Sequence, residues 1–254
     1  MVRKIIYAAL LACATSACTS NSESGATDST GGGQGGSLAR FAVVGSYLYT
    51  VDESSLQVFD VEAPAQPVLK SAIRLGVGIE TIFPKGSKLF VGSQTGMYIY
   101  DVSSPQQPSQ LAVVEHVYSC DPVVVNDSYA FVTLNSASTT CWRAANLLMV
   151  IDIKDAKRPQ ILKEYSMESP RGLGVDDSTL FVCDKGRLKV YSVADPSNID
   201  VAHPKHTCAF PAEEVIPVSG KGLLIAVGSN GLKQYRYSPA VDTITLLSSI
   251  EVER

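Results

Sequence analysis

A unit of about 40 residues recurs five times in this 254-residue chain, and it constrains the fold more than any other feature. Each unit has an apolar run followed by a turn: LQVFDVEAPAQP, MYIYDVSSPQQP, LMVIDIKDAKRP, LKVYSVADPSNI and LKQYRYSPAVDT. A second shared pattern lies upstream, and its turn residues are Gly45, Gly86, Asp127, Asp177 and Gly220. Their spacings are 41, 41, 50 and 43 residues, so the third unit carries an insertion of about nine residues. Such a period indicates a repeat architecture.

Each unit has room for four short strands separated by turn residues. In the first unit, the predicted strands are Arg40–Val44, Tyr47–Val51, Leu56–Val61 and Val68–Ile73. No segment shows a helical period, and four antiparallel strands per repeat are typical of a propeller blade. The sequence therefore predicts an all-β chain, a β-propeller of about five four-stranded blades. Six blades or a differently phased closure, in which the strand from Leu246 pairs elsewhere, is the alternative.

An aspartate ends the third predicted strand in three units, at Asp60, Asp101 and Asp152. Such a side chain can accept hydrogen bonds from backbone N–H groups in the following turn. Ser192 and Arg236 replace it in the last two units. We therefore predict a structural role for these aspartates. No strand is left over for exchange between the chain ends, so the first and fifth blades should meet through side-chain packing alone.

The segments VFDVEAPAQP, IYDVSSPQQP, VIDIKDAKRP and VYSVADPSNI resemble the LVIVD repeat. The resemblance covers about residues 38–254, although the fifth unit is degenerate. It implies a β-propeller and an exported bacterial protein, and it implies no particular activity.

The N-terminus has the pattern of a targeting signal. MVRK supplies positive charge, and IIYAALLACATSA supplies an apolar stretch that is too short to span a bilayer as a helix. The pattern resembles a bacterial lipoprotein signal, with cleavage after residue 17 and lipid on Cys18, or alternatively on Cys13. Residues 18–37 then form a Gly/Ser-rich linker before the propeller at 38–254. We expect a lipid-anchored protein of the cell envelope, on its periplasmic or surface side.

Four further cysteines follow the signal. An exported chain meets an oxidising compartment, which favours disulfides. The repeat topology predicts two pairs, which are Cys120–Cys141 and Cys183–Cys208. No C-x-x-C spacing indicates a metal site.

The starts of the innermost strands should surround one mouth of a central channel. Six residues before each turn residue stand Ala39, Glu80, Asp121, Arg171 and Glu214. We expect the last four to form a ligand site at the mouth, because concave sites with convergent polar groups bind ligands. A second set in the loops of the same face, predicted to be a contact surface, consists of Tyr118, Trp142 and Arg143.

The sequence contains no recognisable catalytic, cofactor-binding or metal-binding motif. The HPKH segment, with His203 and His206, is expected to be an exposed loop. A net charge of −4 and a pI near 5.4 argue against nucleic-acid binding. We therefore predict a non-enzymatic lipoprotein that binds a protein or a small ligand through one face. The alternatives are a hydrolase or other enzyme with its site at the channel mouth, and a structural envelope component.

Overall fold

A computed structural model describes residues 35–115, 122–136, 146–239 and 242–252. The described residues form twenty β-strands and no helix. Accordingly, this part of the chain offers no long apolar helix that could cross a membrane. The strands make five four-stranded antiparallel sheets, each from four consecutive strands, and each sheet is called a blade below.

The blades follow one another along the chain. Blade 1 contains β1–β4, which span Phe41–Val44, Tyr47–Val51, Ser55–Asp60 and Val68–Arg74. Blade 2 contains β5–β8, which span Ile79–Lys85, Lys88–Ser93, Gly96–Asp101 and Ser109–Glu115. Blade 3 contains β9–β12, which span Val123–Val125, Tyr129–Leu134, Leu147–Asp152 and Gln160–Ser166. Blade 4 contains β13–β16, which span Pro170–Asp176, Thr179–Asp184, Arg187–Ser192 and His206–Cys208. Blade 5 contains β17–β20, which span Ala212–Val218, Leu223–Gly228, Gly231–Ser238 and Thr243–Glu251. The prediction of an all-β chain with four strands per repeat is confirmed.

Local turn chemistry explains the repeated residues. Asp60, Asp101 and Asp152 each accept a hydrogen bond from the backbone N–H two residues further on, at 3.0, 2.7 and 3.0 Å. Each aspartate thus stabilises the turn that leads to the outer strand, as the sequence predicts. At the turn between the first two strands, Gly45 and Asp177 have φ values of 59° and 50°. Glycine and aspartate tolerate this left-handed conformation better than most residues.

Buried apolar clusters join neighbouring blades. Among the described residues, one such cluster lies at each boundary from blade 1 to blade 5 in chain order. The cluster between blades 4 and 5, for example, contains Phe181, Leu188, Val215 and Tyr235. The strands β10, β11 and β14 contribute side chains to the clusters on both of their faces, which explains their nearly continuous apolar sequences. In this part of the chain, no cluster of this kind joins blade 5 to blade 1.

The innermost strands of blades 2–5 surround a narrow central cavity. Phe83, Val124, Leu173 and Val215 contribute to its wall, one from each of these blades. The segment Gly35–Ser37, which precedes β1, also lines this cavity. The predicted linker at 18–37 therefore ends inside the folded part of the protein.

The predicted Cys183–Cys208 disulfide is absent, and both residues are free thiols. Cys183 pairs across the ladder with Leu188, and Leu188 pairs with Cys208 on the next strand. The two cysteines are therefore two strand spacings apart, or roughly 9.5 Å, whereas a disulfide needs Cα atoms within about 7 Å. Burial raises the pKa of the Cys183 thiol well above its usual range. The second predicted pair, Cys120–Cys141, lies outside the described residues, as do Cys13 and Cys18.

Candidate functional site

The predicted channel-mouth residues differ in their surroundings. Glu80 accepts a hydrogen bond from Nε2 of Gln94 at 3.1 Å. The exposed side chain of Arg171 is paired with Glu213, with 3.4 Å between Nη1 and Oε1. Asp121, and the predicted contact surface of Tyr118, Trp142 and Arg143, lie outside the described residues. The ligand site at this mouth thus stays a prediction.

Glu214 is engaged by the chain itself. Its carboxylate accepts hydrogen bonds from the hydroxyl of Ser37 and from the backbone N–H groups of Leu38 and Val215, at 2.9, 2.6 and 2.9 Å. Burial raises the pKa of Glu214, and these hydrogen bonds oppose that rise. Both carboxylate oxygens therefore have protein partners.

A different polar pocket lies between blades 4 and 5. It is open to solvent on one side, and its cavity volume is about 80 Å³. In each blade, the turns between the first and second strands and between the third and fourth strands lie at the same end of the strands. The pocket lies at this end, and the predicted channel mouth lies at the opposite end. Five serine and threonine side chains line the pocket, and they are Ser178, Thr179, Ser192, Ser238 and Thr243.

A carboxylate that holds two basic groups is the main polar feature of the pocket. Asp242, in the turn between β19 and β20, has Oδ1 3.2 Å from Nε2 of His206 and Oδ2 3.2 Å from Nζ of Lys205. The hydrogen bond from Lys205 is the main cause that lowers the pKa of Asp242, and His206 adds to it. In the tautomer with the hydrogen on Nε2, this N–H donates a hydrogen bond to Asp242. Nδ1 then has a lone pair that can accept a proton.

Aromatic residues form the apolar part of the same pocket. The rings of Phe181 and Tyr237 meet edge to face, with centroids 4.9 Å apart and planes at 72°. The Tyr237 hydroxyl donates a short hydrogen bond to Asp176 of blade 4. Burial and this hydrogen bond both raise the pKa of Tyr237. The hydroxyl is thus protonated and held in place, and it ties blade 5 to blade 4.

The HPKH segment is only partly the exposed loop that the sequence suggests. The His203 side chain is 83% exposed and contacts Asp200. His206 begins strand β16, and its side chain is 29% exposed. The partner Asp242 is 36 residues away, in the next blade. His206 and Asp242 stand at equivalent places in successive repeats, at or just before the start of the outer strand. This equivalence was the feature of the sequence from which their contact could have been predicted.

The comparisons identify the repeat and the fold. The family model described as the LVIVD repeat matches residues 35–74, which contain the first unit. No curated protein matches the sequence significantly.

Solved structures with a similar fold are distant in sequence. One is a functionally unknown protein from Desulfotomaculum acetoxidans (TM-score 0.68, 9% identity, 82% of this chain and 67% of that chain). A second is a candidate 6-phosphogluconolactonase from Bacteroides uniformis (0.64, 11%, 84% and 70%). A third is the periplasmic gluconolactonase of Pseudomonas aeruginosa (0.60, 16%, 82% and 68%). These structures are β-propeller-like, and five blades are consistent with them.

The prediction that the protein is not an enzyme is corrected by these comparisons. It rested on the lack of a familiar catalytic motif. The structural neighbours include proteins named as lactonases, so a fold of this kind can support catalysis. At these identities the likeness defines the fold, and the chemistry has to be argued from the residues of this chain.

Proposed function

We propose that this chain is an exported five-bladed β-propeller that binds a small, hydroxyl-rich ligand in the pocket between blades 4 and 5. The observation that carries the proposal is the convergence of His206, Lys205 and Asp242 beside five serine and threonine side chains. Hydroxyls, imidazole and ammonium together can donate to and accept from a sugar-like molecule. The edge-to-face pair of Phe181 and Tyr237 is buried and forms an apolar wall beside them.

A second candidate function is hydrolysis of a small lactone in the same pocket. The His206–Asp242 pair favours it, because a carboxylate that orients an imidazole is a common arrangement for a general base. In the proposed step, Nδ1 of His206 takes a proton from water as the water oxygen bonds to the lactone carbonyl carbon. Lys205 stabilises the negative charge on the carbonyl oxygen. The ring C–O bond then breaks, and the proton passes from His206 to the released alkoxide, which yields the hydroxy acid.

A direct test measures binding and hydrolysis with glucono-1,5-lactone and with gluconate as the unreactive probe. We expect calorimetry to detect binding of at least one of them to the wild type and not to Asp242→Ala. If hydrolysis occurs, His206→Gln should reduce kcat/KM by about 10²- to 10⁴-fold. His203→Gln is the matched control, because His203 also pairs with an aspartate but does not line the pocket.

The results separate the two functions. Binding that depends on Asp242, with lactone hydrolysis at the buffer rate, would support the binding function and eliminate catalysis. No binding and no hydrolysis would contradict both functions for this class of ligand. An equal loss in His206→Gln and His203→Gln would show that the pocket is not the site.

We further propose that the protein is held at a membrane of the cell envelope by lipid on Cys18. The basis is the signal-like N-terminus and the polar linker after it. Stable anchoring requires more than one acyl chain. Radiolabelled palmitate should enter the wild type and should be lost in Cys18→Ser. Loss only in Cys13→Ser would move the anchor to Cys13, and an unlabelled wild type would contradict the lipoprotein proposal.

A further inference from the structure

In the part of the chain that the structure describes, blades 5 and 1 lack the buried apolar cluster that joins each of the other neighbouring pairs. Val215 and Ala226 belong to the cluster between blades 4 and 5, so Ile216 and Ile225 lie on the opposite face of blade 5. Both are only partly buried, and Val227 is 38% exposed.

Blade 1 shows the same asymmetry. Ala42 and Val58 are buried in the cluster with blade 2. Phe41, which lies on the other face of the sheet, is 60% exposed. Side-chain packing alone therefore gives this boundary little of the apolar burial that holds the other blades together.

The segment before β1 makes a specific set of hydrogen bonds to distant blades. The Ser37 hydroxyl donates to Oε1 of Glu214 in blade 5 at 2.9 Å and accepts from the Leu173 N–H in blade 4 at 2.9 Å. The N–H of Leu38 donates to Oε2 of Glu214 at 2.6 Å. Ser37 itself is only 1% exposed. On the blade 2 side, the carbonyl oxygen of Ala39 accepts from the Ile82 N–H at 2.8 Å.

Two glycines provide the space for this contact. A Cβ atom on Gly36 would lie 2.7 Å from Cδ of Glu214. A Cβ atom on Gly172, in blade 4, would lie 2.7 Å from Oε1 of the same carboxylate. Distances below 3.0 Å are not tolerated, so any other residue at either position would displace the carboxylate.

We infer that residues 35–38 act as an intramolecular latch that closes the ring of blades in place of an exchanged strand. The segment leads directly into blade 1, and Glu214 holds it to blade 5. Hydrogen bonds to an ionised carboxylate are stronger than bonds between neutral groups. The latch thus lies in the central cavity as a tight turn, in which the Ala39 N–H donates to the Gly36 carbonyl oxygen at 3.1 Å.

Hydrogen exchange on the full chain tests the latch, with Ser37→Ala and Glu214→Gln as the variants. Ser37→Ala removes one of the charge-assisted bonds, and Glu214→Gln removes the charge from all three bonds to this side chain. We expect exchange to become about tenfold faster in β1, β2, β17 and β18, because the loss of one such bond weakens the closure by this factor. Exchange in β10 and β11 of blade 3 should not change. Glu213→Gln is the matched control, because Glu213 adjoins Glu214 but pairs only with Arg171 on the surface.

Each alternative result is informative. If exchange increases only within residues 35–38, the segment is bound but does not close the ring, and the inference is wrong. It is equally wrong if the control increases exchange as much as Ser37→Ala, or if all five blades respond alike. Ser37→Ala removes a single oxygen atom, so the test remains available if Glu214→Gln does not fold.

Discussion

Asp184 should be among the most sensitive polar positions in the protein. Its side chain is 1% exposed and lies 2.7 Å from Nζ of Lys189 and 2.7 Å from the backbone N–H of Ser169. Burial tends to lower the pKa of Lys189, but hydrogen bonds to Asp184 and Glu168 outweigh it, and the pKa is raised. Asp184→Ala would leave Lys189 with Glu168 alone and would leave the Ser169 N–H without this acceptor.

The expected cost follows from these contacts. Removal of one partner of a buried ion pair costs about 3–5 kcal/mol. The distance of 3.2 Å between Lys189 and Glu168 retains part of the attraction, so we expect a loss near the lower end, about 3 kcal/mol. For a folded unit of this size, about 3 kcal/mol corresponds to a fall in Tm of roughly 6–12 °C. Asp184→Asn, which can still accept from Ser169, should fall by less.

Thermal unfolding followed by circular dichroism measures this difference. Asp155→Ala is the matched control, because Asp155 pairs with Arg158 through an exposed contact of 2.8 Å. Its Tm should change by less than about 2 °C. Equal decreases in Tm for Asp184→Ala and Asp155→Ala would refute the reasoning, because they would show that burial does not increase the contribution of the ion pair to stability.

Three further predictions concern thiols, packing and acid. After unfolding without reductant, a maleimide should label both Cys183 and Cys208. In the folded protein, mass spectrometry should find Cys183 unlabelled. A disulfide between the two cysteines would contradict the strand register. Gly174→Ala should lower the free energy of unfolding by about 1–3 kcal/mol in urea titrations, because its Cβ would lie 2.5 Å from Cδ of Pro217; an unchanged midpoint would mean that the two blades can separate there. Hydrogen bonds from the following serines lower the pKa of Asp52 to about 2. The ionised Asp52 carboxylate therefore stabilises the folded state at pH values above the pKa that it has in the unfolded chain, and this stabilisation is lost as the pH falls. Between pH 4 and pH 2, the Tm should thus fall more in the wild type than in Asp52→Asn.

The repeat and its local chemistry were readable from the chain alone. A turn aspartate such as Asp152 acts on a backbone group two residues away, so its role depends on neighbours that are adjacent in sequence. The same applies to Gly45, whose positive φ is required by the turn that it forms. Because five units repeat this pattern, the number of blades and the number of strands per blade follow from sequence.

The predicted cysteine pair shows where this local information ends. The repeat topology predicts that Cys183 and Cys208 pair, but they lie in β14 and β16, which are separated by β15. The extent of β16 and its register against β15 depend on the packing between blades 4 and 5. A repeat pattern indicates how far along a strand a residue lies. It does not determine how many strands separate two residues.

The pocket and the latch were decided by tertiary structure. His206 and Asp242 are 36 residues apart, and Ser37 and Glu214 are 177 residues apart. Contacts of this kind depend on how the blades are positioned relative to one another, which is set by the apolar clusters between them. The sequence by itself determined the blades, because backbone hydrogen bonding and turn formation act over a few residues. Only the packing of the blades decided which polar side chains meet, because that depends on the summed geometry of all five.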